Sequence, residues 1–104
     1  MTVALDIDAL ARVGQALADD SRRRLLLAIL DGVHYPAEMA DELGLTRANV
    51  SNHLTCLRGC GLVTARPEGR RVRYELAHPR LAHALADLAG LALPVDDHAH
   101  APDD

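Results

Sequence analysis

The stretch of sequence that decides the fold is residues 43–54, which read LGLTRANVSNHL. Gly44 interrupts one amphipathic helical pattern, and Thr46 offers an N-cap side chain for the next. Apolar residues then recur every three or four positions through residues 47–59, with polar residues between them. A helix, a short turn that contains glycine and a second helix together predict a helix-turn-helix, whose second helix enters the major groove of DNA.

A change of pattern after Gly61 predicts a β-hairpin. Residues 62–66 and residues 71–76 are short segments of β character, and the turn between them, residues 67–70, reads PEGR. A hairpin that directly follows a helix-turn-helix is typical of a winged helix. The predicted fold class is therefore mainly α with a small β-hairpin, arranged as a winged helix-turn-helix.

Helical patterns on either side complete the predicted domain. They place a first helix that ends near Ala18, a second over residues 22–30, a third opened by Pro36, and a last one over residues 80–93 that ends at Pro94. The first and last helices contain more leucine and alanine than the core of one small domain needs. We therefore expect these two helices to form the interface of a homodimer.

Length and composition are those of one small domain. The chain has 104 residues, 49% of them hydrophobic, and two tyrosines are its only aromatic residues. Residues 1–93 are predicted to form a DNA-binding and dimerisation domain, and residues 94–104 an acidic, histidine-containing, flexible tail. No apolar window of about eighteen residues and no signal-peptide pattern occur, so we expect a cytoplasmic protein without membrane contact.

Charge is distributed unevenly along the chain. The formal net charge is -4, which by itself argues against nucleic-acid binding. Residues 47–80, however, carry seven arginines against two glutamates, whereas the segments on either side are acidic. A basic middle segment can steer DNA towards one face of an acidic protein. Double-stranded operator DNA is therefore the predicted partner.

Two groups of side chains are candidates for contact with DNA. The first is the polar face of the recognition helix: Thr46, Arg47, Asn49, Ser51, Asn52 and His53. The second comprises the arginines of the predicted wing: Arg66, Arg70, Arg71 and Arg73. Asparagine and arginine pair with base edges, and wing arginines are drawn to phosphates or to the minor groove. The alternatives are a capping role for Thr46, solvated asparagines and a wing that is only a soluble charged turn.

The two cysteines, Cys56 and Cys60, lie four residues apart at the end of the recognition helix. Positions i and i+4 share a helix face with Cβ atoms about 5–6 Å apart, so two thiolates there can share one metal ion. They would supply half of a tetrahedral site. The alternative is that both cysteines are small buried hydrophobic residues.

The missing ligands of such a site have to come from other residues or from a partner chain. The candidates are His34, His98 and His100. The last two lie in the acidic tail, where no packing role is expected for them. A lower-ranked option uses His83 and Asp87, at i and i+4 on the last helix, together with His78.

Four segments resemble the ArsR/SmtB family of bacterial metal-sensing repressors. They are residues 17–22, 43–54, 57–63 and 69–74, and the resemblance extends over residues 5–93. The chain is most similar to the cadmium- and lead-sensing type of this family, which binds metal through two cysteines of the recognition helix and a third in the C-terminal tail.

The match to that ligand set is incomplete. Cys56 and Cys60 correspond to the helix pair, but the tail has histidines in place of a cysteine. A third thiolate would favour cadmium or lead, whereas imidazoles would favour zinc, nickel or cobalt. The expected cofactor is therefore a divalent metal ion whose identity the sequence leaves open.

The function that the resemblance implies is metal-responsive repression. A homodimer would bind operator DNA without metal and release it when metal binds. The alternative is a winged-helix regulator without a functional cysteine site, which is constitutive or is controlled by a protein partner or by a His/Asp nickel or zinc site. We expect no enzyme, because no nucleophile is paired with a base.

Overall fold

The computed structural model describes residues 5–96, which form five helices and one two-stranded antiparallel hairpin. The elements in chain order are α1 (Ile7–Ala18), α2 (Asp20–Leu30), α3 (Pro36–Leu43), α4 (Arg47–Gly59), β1 (Val63–Glu68), β2 (Arg71–Leu76) and α5 (Pro79–Ala89). This arrangement confirms the predicted winged helix-turn-helix.

Capping side chains fix where the helices begin. Asp6, Asp19 and Thr46 each accept a hydrogen bond from a backbone amide in the first turn of α1, α2 and α4. Because Asp19 is the cap, α2 begins two residues earlier than predicted. Gly44 ends α3 in the left-handed conformation, with φ of 66°, which costs glycine little.

The core lies around α2, which packs against α1, α3, α4, α5 and β2. Its largest fully buried side chains are Leu25, Leu26, Met39, Val50, Leu54 and Leu57. Three of these belong to α4, so the apolar stripe of the recognition helix is buried and its polar positions face outwards.

The hairpin is hydrogen-bonded to the helical part of the fold as well as between its own two strands. Its strands pair in register from Val63 opposite Leu76 to Glu68 opposite Arg71. The Tyr74 amide donates a hydrogen bond of 2.8 Å to the carbonyl of His34, in the loop between α2 and α3. This bond fixes β2 against the helices and sets the position of the wing relative to α4.

The last helix is shorter than predicted, because α5 ends at Ala89 and residues 91–96 are not helical. Gly90 is the C-cap residue, and glycine lowers helix stability by about 1 kcal/mol relative to alanine. Leu91 and Leu93 are exposed, so no packing offsets that cost within one chain. The leucine spacing alone thus predicts a longer helix than the structure contains.

Large apolar side chains are left exposed near both ends of the described chain. They are Leu5, Ile7 and Leu10 at the first helix and Leu88, Leu91, Leu93 and Val95 at and after the last. Exposed apolar surface of this kind is typical of an interface. Within residues 5–96, no helix has both the length and the apolar character that crossing a lipid bilayer requires.

Candidate DNA-binding face and thiol pair

The outer face of α4 presents four of the predicted DNA contacts. Arg47, Asn49, Ser51 and Asn52 are all exposed in the first half of the helix. Val50 and Leu54 turn inwards, so α4 packs on the core by one side and its other side is free. The exposed half can therefore offer hydrogen-bond donors and acceptors to base edges.

Two other predicted contacts have structural partners within the protein. The Thr46 hydroxyl accepts a hydrogen bond of 3.1 Å from the amide of Asn49, so this side chain caps α4. His53 is half-buried and lies near Asp19 at the start of α2. It is therefore less accessible than the four exposed side chains of α4.

The wing arginines divide into two groups by their partners. Arg70 has no ion-pair partner within residues 5–96, and the same holds for Arg47 at the start of α4. Both line one open cleft of about 350 Å³ between α3, α4 and the wing. Two unpaired guanidinium groups beside one cleft are suited to hold a backbone phosphate.

Arg71 is held against α3. Its guanidinium lies 3.4 Å from the ring centroid of Tyr35, and its Nη2 donates to Glu38 Oε2 at 2.9 Å. The Tyr35 hydroxyl also donates a hydrogen bond to Glu68 at the end of β1. These contacts, which we call the wing latch, join the start of α3 to both strands of the hairpin.

Arg73 and Arg66 share the carboxylate of Glu75. Arg73 Nε donates to Glu75 Oε2 at 2.9 Å, whereas Arg66 Nη2 lies 3.7 Å from the same oxygen. The hydrogen bond from Arg73 lowers the pKa of Glu75, and the same bond raises the pKa of Arg73. Arg73 is therefore paired within the wing, and Arg66 is paired only loosely.

The two thiols lie at the end of α4, Cys56 in the last turn and Cys60 as the C-cap residue. Cys56 is exposed and Cys60 is half-buried against the core, and both are free cysteines. Arg22 Nη1, on α2, donates to Cys56 Sγ at 3.6 Å. Arg12 Nε, on α1, donates to the Cys60 carbonyl oxygen at 3.0 Å. The Cys56 thiol is thus open to solvent and bonded to α2. The backbone of Cys60 is bonded to α1.

The histidines of the described region do not complete a metal site in one chain. No group of three or more histidine, cysteine or carboxylate side chains within residues 5–96 is arranged to hold a metal. His34 Nδ1 bonds to the Tyr74 carbonyl at 2.9 Å, and His78 caps α5. His34 therefore does not join the thiol pair, and the trio of His78, His83 and Asp87 does not form. His98 and His100 lie outside the described residues.

No local pattern in the sequence predicts the contacts around the thiols or those of the wing latch. Arg12 and Arg22 reach α4 across 48 and 34 positions of the chain, and Tyr35 reaches Glu68 across 33. Contacts at such separations follow from packing and not from local spacing.

The fold and the exposed face of α4 define a winged helix-turn-helix DNA-binding protein. The profile of the family described as "Bacterial regulatory protein, arsR family" matches residues 19–65. The HTH-type transcriptional regulator CmtR of Mycobacterium tuberculosis is 59% identical over 96 residues, which cover 92% of this chain and 81% of that protein. The chain therefore belongs to the arsR family of bacterial regulatory proteins, which confirms the resemblance drawn from the motifs.

Solved structures agree with this assignment. The NMR structure of the cadmium metal-sensor CMTR from Mycobacterium tuberculosis superimposes with a TM-score of 0.69 at 57% identity, and covers 90% of this chain and 98% of that one. The homodimeric winged helix-turn-helix DNA-binding domain Mb0332 from Mycobacterium bovis gives a TM-score of 0.73 at 32% identity, with coverage of 86% and 87%.

Proposed function

We propose that this protein is a metal-responsive repressor that binds operator DNA as a homodimer and releases it when a divalent metal binds at Cys56 and Cys60. The observation that carries this proposal is the position of two free thiols at the end of α4, the helix proposed to face DNA. The similarity of this chain to a transcriptional regulator and cadmium sensor supports the same function.

The contribution that we propose for each side chain to DNA binding depends on the partners that it already has within the protein. Arg47, Asn49, Ser51 and Asn52 would read bases or hold phosphates, and Arg70 would hold a phosphate from the wing. Arg66 would contribute more weakly, because Glu75 lies close to it. Thr46, His53, Arg71 and Arg73 would act by positioning α4 and the wing.

The proposed metal site combines the thiol pair with ligands from outside residues 5–96 or from a second copy. Two thiolates suit a soft or borderline ion, and thiolate-rich sites favour cadmium and lead. The tail, residues 94–104, is proposed to add His98 and His100, which would shift the preference towards zinc, nickel or cobalt. Residues 1–93 are then the DNA-binding and dimerisation domain.

A titration of the reduced, metal-free protein tests this function. Cadmium, lead, zinc, nickel and cobalt are added singly, and two signals are followed: the thiolate-to-metal absorption and the affinity for operator DNA. At least one metal is expected to produce the absorption band and to weaken DNA binding by about 5–150-fold, the usual range of coupling between sites. A chelator should reverse both effects.

Substitutions separate the thiols from other ligands. Cys56→Ser together with Cys60→Ser should abolish the band and the metal response. His34→Gln is the matched control and should retain both signals. His98→Ala with His100→Ala should weaken metal affinity if the tail supplies ligands. A metal response that survives the double serine substitution would exclude the thiol site, and no response to any metal would favour a constitutive or partner-controlled regulator.

A further inference from the structure

Two arginines tie the thiol-bearing turn of α4 to the two helices that precede it. Arg22, in the first turn of α2, bonds to the sulfur of Cys56, and Arg12, on α1, bonds to the backbone of Cys60. The two contacts differ in kind. The Arg12 bond holds the end of the helix, whereas the Arg22 bond holds a sulfur atom that would itself bind the metal.

Arg22 is held in place for this contact by Asp19. Its guanidinium Nε lies 3.7 Å from Asp19 Oδ2, and its backbone amide donates to the same oxygen at 2.9 Å. The side chain of Arg22 is only 23% exposed. His53, one turn before Cys56 on α4, lies near the same carboxylate. The α1–α2 junction therefore holds Arg22 at the place where it reaches α4.

Metal binding at both thiols would disturb this contact. Side chains at i and i+4 start from Cβ atoms about 5–6 Å apart, whereas two sulfurs on one tetrahedral ion, with bonds of about 2.3 Å, lie roughly 4 Å apart. Both sulfurs therefore have to point at one ion, and a thiol that does not already do so must turn. Cys60 is half-buried against the core and Cys56 is exposed, so Cys56 has more freedom to turn. Its sulfur would then change its distance to Arg22.

We propose that Arg22 is a positioning residue that couples metal binding at Cys56 to the placement of α4 against α2 and the α1–α2 junction. The proposal rests on the metal site proposed above. In the metal-free protein Arg22 holds Cys56, and through it the DNA-reading helix, against α2. When the sulfur turns to the metal, that contact changes, and α4 shifts relative to α1, which carries exposed apolar residues of the expected dimer interface.

A shift of α4 would change the separation of the two recognition helices in the dimer. A dimer reads two half-sites at a fixed separation, so a small change in the position of each α4 relative to the dimer interface lowers affinity. Coupling of this kind needs a contact with two arrangements, each favoured by one ligand. The bond between Arg22 and Cys56 supplies such a contact at the sensor itself.

The variant Arg22→Met tests the proposal, since it keeps much of the aliphatic volume and removes the donor. It should keep metal stoichiometry and the thiolate-to-metal band, and its affinity for operator DNA without metal should already fall towards that of the metal-loaded wild type, because the contact that holds α4 is absent. The fold-change in DNA affinity caused by saturating metal should fall to less than about a third of the wild-type value. Arg22→Lys, which keeps a donor, should restore part of that fold-change.

Arg24→Met is the matched control. Arg24 lies on the same helix as Arg22. Its guanidinium donates to the backbone carbonyl of Leu43 at 2.7 Å and not to either thiol. It should keep the wild-type metal response. A wild-type response in Arg22→Met, with normal metal binding, would overturn the coupling role and leave the metal site standing. Absence of a thiolate band in the wild-type protein would instead overturn the proposed function.

Discussion

At the scale of the residue, Asp19 shows how one side chain serves two elements. It is the C-cap residue of α1 and the N-cap residue of α2. The hydrogen bond from the Arg22 amide is the main reason that the pKa of Asp19 lies below its ordinary value of 3.8. Because the folded-state pKa is depressed, the charged cap stabilises the fold at pH values above the unfolded pKa. That contribution is lost as the pH falls through the folded pKa.

We expect Asp19→Ala to lower the melting temperature near neutral pH, because α2 loses its cap and Arg22 its anchor. The difference from wild type should shrink as the pH falls below 3.8, where the wild-type carboxylate becomes protonated. Asp19→Asn, which keeps an acceptor without the charge, should lie between the two at neutral pH. Thermal unfolding followed by circular dichroism checks this, and a difference that stays constant down to about pH 2 would contradict it.

At the scale of the element, the wing is a hairpin that could not hold its position alone. A two-stranded hairpin is marginally stable in water, and this one is fixed by the wing latch and by the bond from Tyr74 to the loop before α3. The latch binds Arg71, and Glu75 binds Arg73, so two of the arginines that local charge assigns to DNA have partners within the protein. Local charge therefore overstates how many of the wing arginines are free to contact phosphate.

The variants Arg70→Gln and Arg71→Gln should differ in how they change DNA binding. Arg70→Gln should lower the slope of log affinity against log salt concentration by about 1 per subunit, as the loss of one phosphate contact does. Arg71→Gln should change the slope less and should lower the hydrogen-exchange protection of β2 amides, because the latch to Tyr35 and Glu38 is broken. Equal slope changes in the two variants would show that the latch opens on DNA.

At the scale of the whole molecule, apolar side chains are exposed on α1 and at the end of α5. Leu10 is 71% exposed and Leu88 is 52% exposed. Each buried apolar side chain contributes roughly 1.5–3 kcal/mol, so a second copy that covers several of them gains enough to form a stable dimer. The homodimeric state of the related Mb0332 domain agrees with this proposal.

The variant Leu88→Glu should dissociate the dimer, because it places a charge in that interface. We expect a monomeric mass by sedimentation or light scattering and a loss of operator binding of at least tenfold, since each monomer would contact only one half-site. His83→Glu, at an exposed position on another face of α5, is the control and should remain dimeric. A dimer that persists in Leu88→Glu with unchanged stability would move the interface elsewhere.

Most of the fold could be read from local pattern. The start and end of α4 agree with the predicted residues 47–59, because Thr46 and the glycines are local signals and the apolar stripe repeats with the helical period. The end of α5 could not be read in this way. There the leucine spacing favoured a longer helix, but Gly90 lowers helix stability. Packing of Leu91 and Leu93 could offset that cost, and within one chain these side chains are exposed.

The sequence by itself determined the winged helix-turn-helix, the basic middle segment and the presence of two thiols at one helix end. Only the tertiary structure decided which arginines are free for DNA and which are bound, and which groups surround the thiols. The reason is physical. Helix periods, caps and turns act over a few residues, whereas Arg22 meets Cys56 and Arg71 meets Glu38 only after the core has folded and brought distant segments together.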